Sequence, residues 1–160
     1  MDQVVNTQVK PIPDGYHTLN PYISVKGASK ALEFYQKAFG AEVIYRLDMP
    51  DGRIGHAEIQ IGNSRLMLAD EMPEMPDVVV RSPASLGGTT FGLHCYVPDA
   101  DAAFNRAVDA GAVVKRPVKD QFYGDRSGTV ADPFGHLWTL STHIEDVSFE
   151  EIRRRMEVLT

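Results

Sequence analysis

The sequence predicts an α+β domain built from two copies of a βαβββ module, and three observations predict it. The helical stretch Phe34 to Ala41 has a counterpart at Phe104 to Ala112, about 70 residues later, and a repeat at that distance signals a duplicated module rather than a solenoid. Each helix is preceded by one short strand and followed by several more, separated by glycine turns. The strand Gly55 to Ile61 alternates cleanly, with Ala57, Ile59 and Ile61 on one face and His56, Glu58 and Gln60 on the other. With one helix per four strands, only one face of each sheet is covered, so the sheets are expected to curve as mixed, cup-shaped layers.

In chain order, residues 1 to 18 form an extended arm, because Pro11, Pro13 and the Pro13-Asp14-Gly15 turn signal break any regular element. Module one spans 19 to 70. Its first strand is expected at Leu19 to Val25 and its helix at Ser29 to Phe39, with Ser29 as N-cap and Gly40 as the stop. Strands follow at Glu42 to Leu47, Gly55 to Ile61 and Arg65 to Ala69, joined by Asp51-Gly52 and Gly62-Asn63 turns. The stretch from 71 to 90 is a linker rich in proline, acidic residues and glycine, with apolar Val78 to Val80 in its middle.

Module two spans 91 to 145. A strand is expected at Phe91 to Val97, then a helix at Asp99 to Ala110 capped by Asp99 and stopped by Gly111. Strands at Val113 to Lys115, Ser127 to Ala131 and Leu137 to Thr142 complete it, the last two joined by the Asp132-Pro133-Phe134-Gly135 turn. Residues 146 to 160 hold a terminal helix, with Ser148 and Glu151 spaced as a capping box.

Composition narrows the function. A net charge of −6 argues against nucleic acid, whose binders need a basic surface to displace counterions. The arginines at 153 to 155 sit among Glu150, Glu151 and Glu157 and read as a solvated helix face. One cysteine excludes an internal disulfide, and Cys95 falls on the apolar face as an inert thiol. No apolar run approaches the ~18 residues of a membrane span, and no signal pattern opens the chain, so a cytoplasmic location is expected.

The face opposite the helices carries the chemistry. Its candidates are Tyr22, His56, Glu58, His94, Tyr96, Thr139 and Ser141, joined by Tyr123 from the segment before the seventh strand. Polar groups converging on a hollow are the usual mark of a ligand site, and tyrosine faces suit planar or cationic ligands. Asp125 and Arg126, beside Gly124, are either a ligand-binding ion pair or the pair that holds the 123 to 128 turn. His136 is expected at a turn or edge, and His143 at the rim. No phosphate loop, nucleophile elbow or zinc-protease motif is present.

The duplicated modules, the Ala31-Leu32-Glu33-Phe34-Tyr35 helix ending in Ala38-Phe39-Gly40-Ala41, and the Asp132-Pro133-Phe134-Gly135-His136-Leu137-Trp138 turn resemble the vicinal oxygen chelate superfamily of glyoxalases, bleomycin-resistance proteins and extradiol dioxygenases. The segments Lys10 to His17 and Asp120 to Arg126 are similar to its PhnB-like branch. The resemblance implies a homodimer with a small-molecule site in the cup. It also implies a divalent metal held from strands one, four, five and eight. Those positions fall at Asn20, Met67, Gly92 and Thr139, which offer no imidazole or carboxylate. The expectation is therefore a small-molecule binder with no cofactor at the usual positions. The alternative is a lyase or dioxygenase with a divalent metal on a rebuilt site of His56, Glu58 and His94.

Overall fold

A computed structural model describes residues 9–158. Strand β1 (Tyr22–Val25) leads into helix α1 (Ala28–Phe39), followed by β2 (Glu42–Asp48), β3 (Ile54–Ile61) and β4 (Ser64–Asp70). After the linker come β5 (Gly92–Tyr96), α3 (Ala100–Asp109), β6 (Val113–Asp120), β7 (Asp125–Ala131) and β8 (Leu137–His143). The linker contains a single helical turn, α2 (Pro83–Leu86), and the chain closes with α4 (Phe149–Glu157). No helix among the described residues is long and apolar enough to cross a membrane.

Each module forms a four-stranded mixed sheet, ordered β1-β4-β3-β2 and β5-β8-β7-β6. In both, the first strand runs parallel to the fourth and the other pairings are antiparallel. The repeat in sequence is thus a repeat in topology.

The alternation places the core as expected. Ile23, Val25, Ala57, Ile59, Leu66 and Leu68 are buried beneath α1, and Val130, Trp138 and Leu140 beneath α3. The two helices pack on each other, and the aromatic seam crosses between modules: Phe39 and Trp138 ring centroids are 4.3 Å apart. Arg106 of α3 donates to the carbonyls of Lys37 (2.6 Å) and Gln36, capping the open end of α1 from the other module.

The turn at Asp132 is the second tie between modules. Its buried carboxylate accepts from Tyr35 of module one (2.8 Å), from Trp138 Nε1 (2.9 Å) and from the backbone N–H groups of Phe134 and His136. His136 is buried rather than at an edge, and its Nε2–H donates to the Ser24 carbonyl at 3.0 Å.

Several boundaries depart from expectation. The first strand starts at Tyr22 instead of Leu19, which is 87 % exposed: Pro21 has no N–H to give the ladder, and the Asn20 side chain is turned back onto the His17 backbone. Helix α1 begins at Ala28, so Ser29 is not its cap. Asp70, at the end of β4, accepts from the Gly27 and Ala28 amides (2.8 and 2.9 Å) and supplies the cap from 42 residues away. Strand β6 continues through Pro117 to Asp120, which an edge strand with register shifts tolerates. Of the N-terminal arm, residues 1–8 lie outside the described region; Tyr16 stacks under Arg65 with 4.3 Å from the guanidinium carbon to the ring centre.

Candidate functional site

On the sheet faces turned from the helices, the structure gathers the expected polar residues into two separate networks. In module one the network is linear. Tyr22 and His56 are on the same face, with Tyr22 Oη 3.2 Å from His56 Nδ1, and His56 Nε2 is 3.0 Å from Glu58 Oε1. A carboxylate only accepts, so Nε2 carries a proton, and in the neutral ring Nδ1 accepts from the tyrosine hydroxyl. The proton donors therefore all point toward Glu58. Its other oxygen lies 3.8 Å from Arg65, whose Nε donates to Gln60 at 3.3 Å. Burial raises the Tyr22 phenol above its ordinary range, which keeps it a donor.

In module two the centre is Asp125, buried at 3 % exposure. Its Oδ2 accepts from Tyr96 Oη (2.9 Å) and Ser141 Oγ (3.1 Å), and its Oδ1 from His143 Nδ1 (2.9 Å). His143 Nε2 donates in turn to Asp146 at 2.8 Å. His94 packs its ring on Tyr96 at 5.1 Å, and Thr139 bonds Thr129 at 2.9 Å. Tyr123 packs edge-on against Phe122.

Asp125 and Arg126 do not form a pair. Successive strand residues face opposite ways, and Arg126 reaches the helix side, where it binds Asp101 and Asp120. Composition alone puts the two charges together; the pleat parts them. Sequence reasoning thus missed Asp125 as the hub of module two. The signal available was register: Asp125, Ser127 and Thr129 share the face of Ser141 and Thr139 across the ladder.

Burial pushes the Asp125 carboxyl up, but bonds from His143, Tyr96 and Ser141 and the charge on His143 outweigh it, and the net shift is downward. Asp146, and then Asp125, raise His143. A depressed carboxylate contributes stability above its unfolded value of about 4 and loses it as pH falls through the folded value. A raised histidine contributes below about 6.5 and loses it as pH rises through the folded value. The pair therefore helps most between roughly pH 4 and 6.5. The melting-temperature gap between wild type and His143→Gln is expected to be widest there and to narrow as the pH rises beyond it and His143 loses its proton. A gap that stays constant across the range would refute the coupling.

A cavity of about 610 Å³ lies where the two modules meet. Asn20 and Arg65 line it from module one, and His94 and Tyr96 from module two. A smaller one of about 250 Å³ lies over Tyr22 and Ser24, roofed by Val78, Val79 and Val80 of the linker. The linker is pinned by Glu71, whose carboxylate accepts from Ser82 N, Ser82 Oγ (2.9 Å) and Ser85 Oγ (2.5 Å), and by an Arg53–Glu74 ion pair.

The thiol of Cys95 is pushed up to about 11 by burial, so it is not a nucleophile at neutral pH. His56 and Glu58 bond each other, while His94 belongs to the other network. Among the described residues no three His, Cys, Asp or Glu side chains are grouped to hold a metal ion.

The Mycobacterium bovis protein Mb0911c is 44% identical to this chain over 138 residues, covering 86% of the chain and 91% of the relative. Among solved structures, TioX from Micromonospora sp. ML1 superposes with a TM-score of 0.60 at 25% identity, covering 79% of this chain and 98% of its own. A PhnB protein from Bacillus cereus does so with a TM-score of 0.60 at 16% identity, covering 79% and 99%. The family model for the Glyoxalase/Bleomycin resistance protein/Dioxygenase superfamily matches residues 16–140, from the segment before β1 into β8, and the chain belongs to that superfamily.

Proposed function

We propose that the protein binds a small molecule in the hollow of its sheets, as a homodimer and without a metal at the superfamily's usual positions. The carrying observation is the cavity of about 610 Å³ shared by the modules, with polar Asn20 and Arg65 lining it from module one and aromatic His94 and Tyr96 from module two. A concave site with a few convergent polar groups is the usual form of a ligand pocket.

The donor chemistry does not fit the family's metal. Asn20 spends its amide on the His17 backbone, at 3.1 and 2.6 Å, Gly92 has no side chain, and Met67 is a poor ligand for a hard or borderline divalent ion. The second reading, a metal-dependent lyase or dioxygenase, draws support from the His56–Glu58 pair, since imidazole and carboxylate together suit iron, nickel or zinc.

Dimerisation is supported by apolar side chains left exposed on the outer strands, among them Ile44, Tyr45, Leu47, Val113 and Val114. In light scattering after gel filtration the protein is expected at twice 17.7 kDa.

The deciding experiment is elemental analysis of protein purified without chelators, alongside melting-temperature shifts with planar aromatic compounds. The expected result is less than about 0.1 metal per chain and a ligand-induced rise in melting temperature. Near-stoichiometric metal that disappears in a His56→Ala/His94→Ala double variant would overturn the binder reading in favour of the enzyme.

A further inference from the structure

Asp125 has an unusual charge environment for a buried carboxylate. Among the described residues its only ion-pair partner is His143, which is charged only when protonated; the neighbouring Arg126 is turned to the opposite face. Its remaining partners, Tyr96 and Ser141, are neutral hydroxyls. A buried carboxylate without a permanent cation is costly, and an incoming cation relieves that cost.

The surroundings specify what kind of cation. A carboxylate offers about four acceptor sites and Asp125 has three in use. Two residues along β7, on the same face, Ser127 is fully buried and its hydroxyl has no hydrogen-bond partner. Unpaired buried hydroxyls are rare enough to need an explanation, and a ligand atom is one. Tyr96 is 66 % exposed, so its ring can move aside, and Tyr123 lies close enough to influence its ionisation. A primary ammonium brings three donors and a compact charge, which suits one carboxylate oxygen, one hydroxyl and the face of an aromatic ring.

We propose that Asp125, reached from the larger cavity past the Tyr96 side chain that lines it, selects ligands bearing a protonated primary amine, with Ser127 as second acceptor and Tyr96 and Tyr123 as flanking rings. This rests on the reading of the hollow as a small-molecule site. Arg65, at the far wall of the larger cavity, is already shared between Glu58, Gln60 and the Tyr16 ring, so it does not compete as an anion anchor.

The test uses three probes of one ring system: tryptamine, neutral 3-methylindole and anionic indole-3-acetate, titrated calorimetrically at pH 7.5. Wild type is expected to bind tryptamine at least ten-fold tighter than either analogue. Asp125→Asn is expected to lose that preference while binding 3-methylindole as before. Tyr96→Phe, which removes a competing donor from Oδ2, is expected to bind tryptamine more tightly than wild type. If wild type binds 3-methylindole but does not prefer tryptamine, or if folded Asp125→Asn keeps the preference, the inference is wrong and the small-molecule reading stands. If none of the three binds, both fall. Should Asp125→Asn fail to fold, Tyr96→Phe decides, and unchanged or weaker tryptamine binding overturns the proposal.

Discussion

Asp132→Ala is expected to cost about 3–5 kcal/mol, a large part of the 5–15 kcal/mol that holds a typical domain together. The carboxylate occupies the centre of the inter-module seam and accepts four hydrogen bonds. Two come from the amides of Phe134 and His136, one from the Tyr35 hydroxyl and one from the Trp138 indole. Truncation leaves three buried donors and the part-buried Phe134 amide with no acceptor, and each unsatisfied buried group carries a penalty of about 1–3 kcal/mol that the others only partly share. Tyr35→Phe removes one donor and leaves the acceptor otherwise satisfied, so it should cost only about 1–1.5 kcal/mol. Urea denaturation of the three proteins checks this through the transition midpoint. A loss below about 1 kcal/mol in Asp132→Ala would mean that the seam is held by aromatic packing alone.

Gly124→Ala is expected to cost on the order of 3 kcal/mol and, if Asp125 anchors the ligand as proposed, to abolish amine binding. Gly124 has φ +100°, where side chains are strained, and an added Cβ would come within 2.2 Å of the Glu145 carbonyl oxygen and 2.9 Å of Val147. The clash is with backbone, which has little freedom to yield, since the Gly124 carbonyl itself accepts from the Ile144 and Glu145 amides. Relief must displace the start of β7, and with it Asp125. Gly62→Ala separates the two causes, because Gly62 also has positive φ (57°) but nothing within 4 Å of the added atom. That control should lose about 1 kcal/mol and keep ligand binding. Equal losses in the two variants, by thermal denaturation, would show that the contact with Glu145 is not decisive.

Much of the fold was legible because it rests on local periodicity. The alternation of Ala57, Ile59 and Ile61 against His56, Glu58 and Gln60 survives in the structure as a buried face and a polar face. The Asp99 cap accepts from Ala102 N, and the Ser148 cap from Glu151 N, because in each the acceptor and the amide are three residues apart. The cap of α1 was not legible. A sequence cannot show that Asp70 lies beside Gly27, since that contact exists only once β4 has paired with β1.

The candidate site divides in the same way. The side chains that share a face follow from the two-residue period, so Tyr22, His56, Glu58, His94, Tyr96, Thr139 and Ser141 were available as candidates. What they bond to depends on register between strands far apart in the chain. That register joined Tyr22 to His56 and Tyr96 to Asp125, and it sent Arg126 away from its neighbour. By itself, then, the sequence determined the module, its repeat and the polarity of each face, because these follow from one strand's own alternation. Only the tertiary structure decided which polar groups meet and that, among the described residues, Asp125 sits buried without a lysine or arginine, because hydrogen bonds and charge balance depend on partners brought together in space.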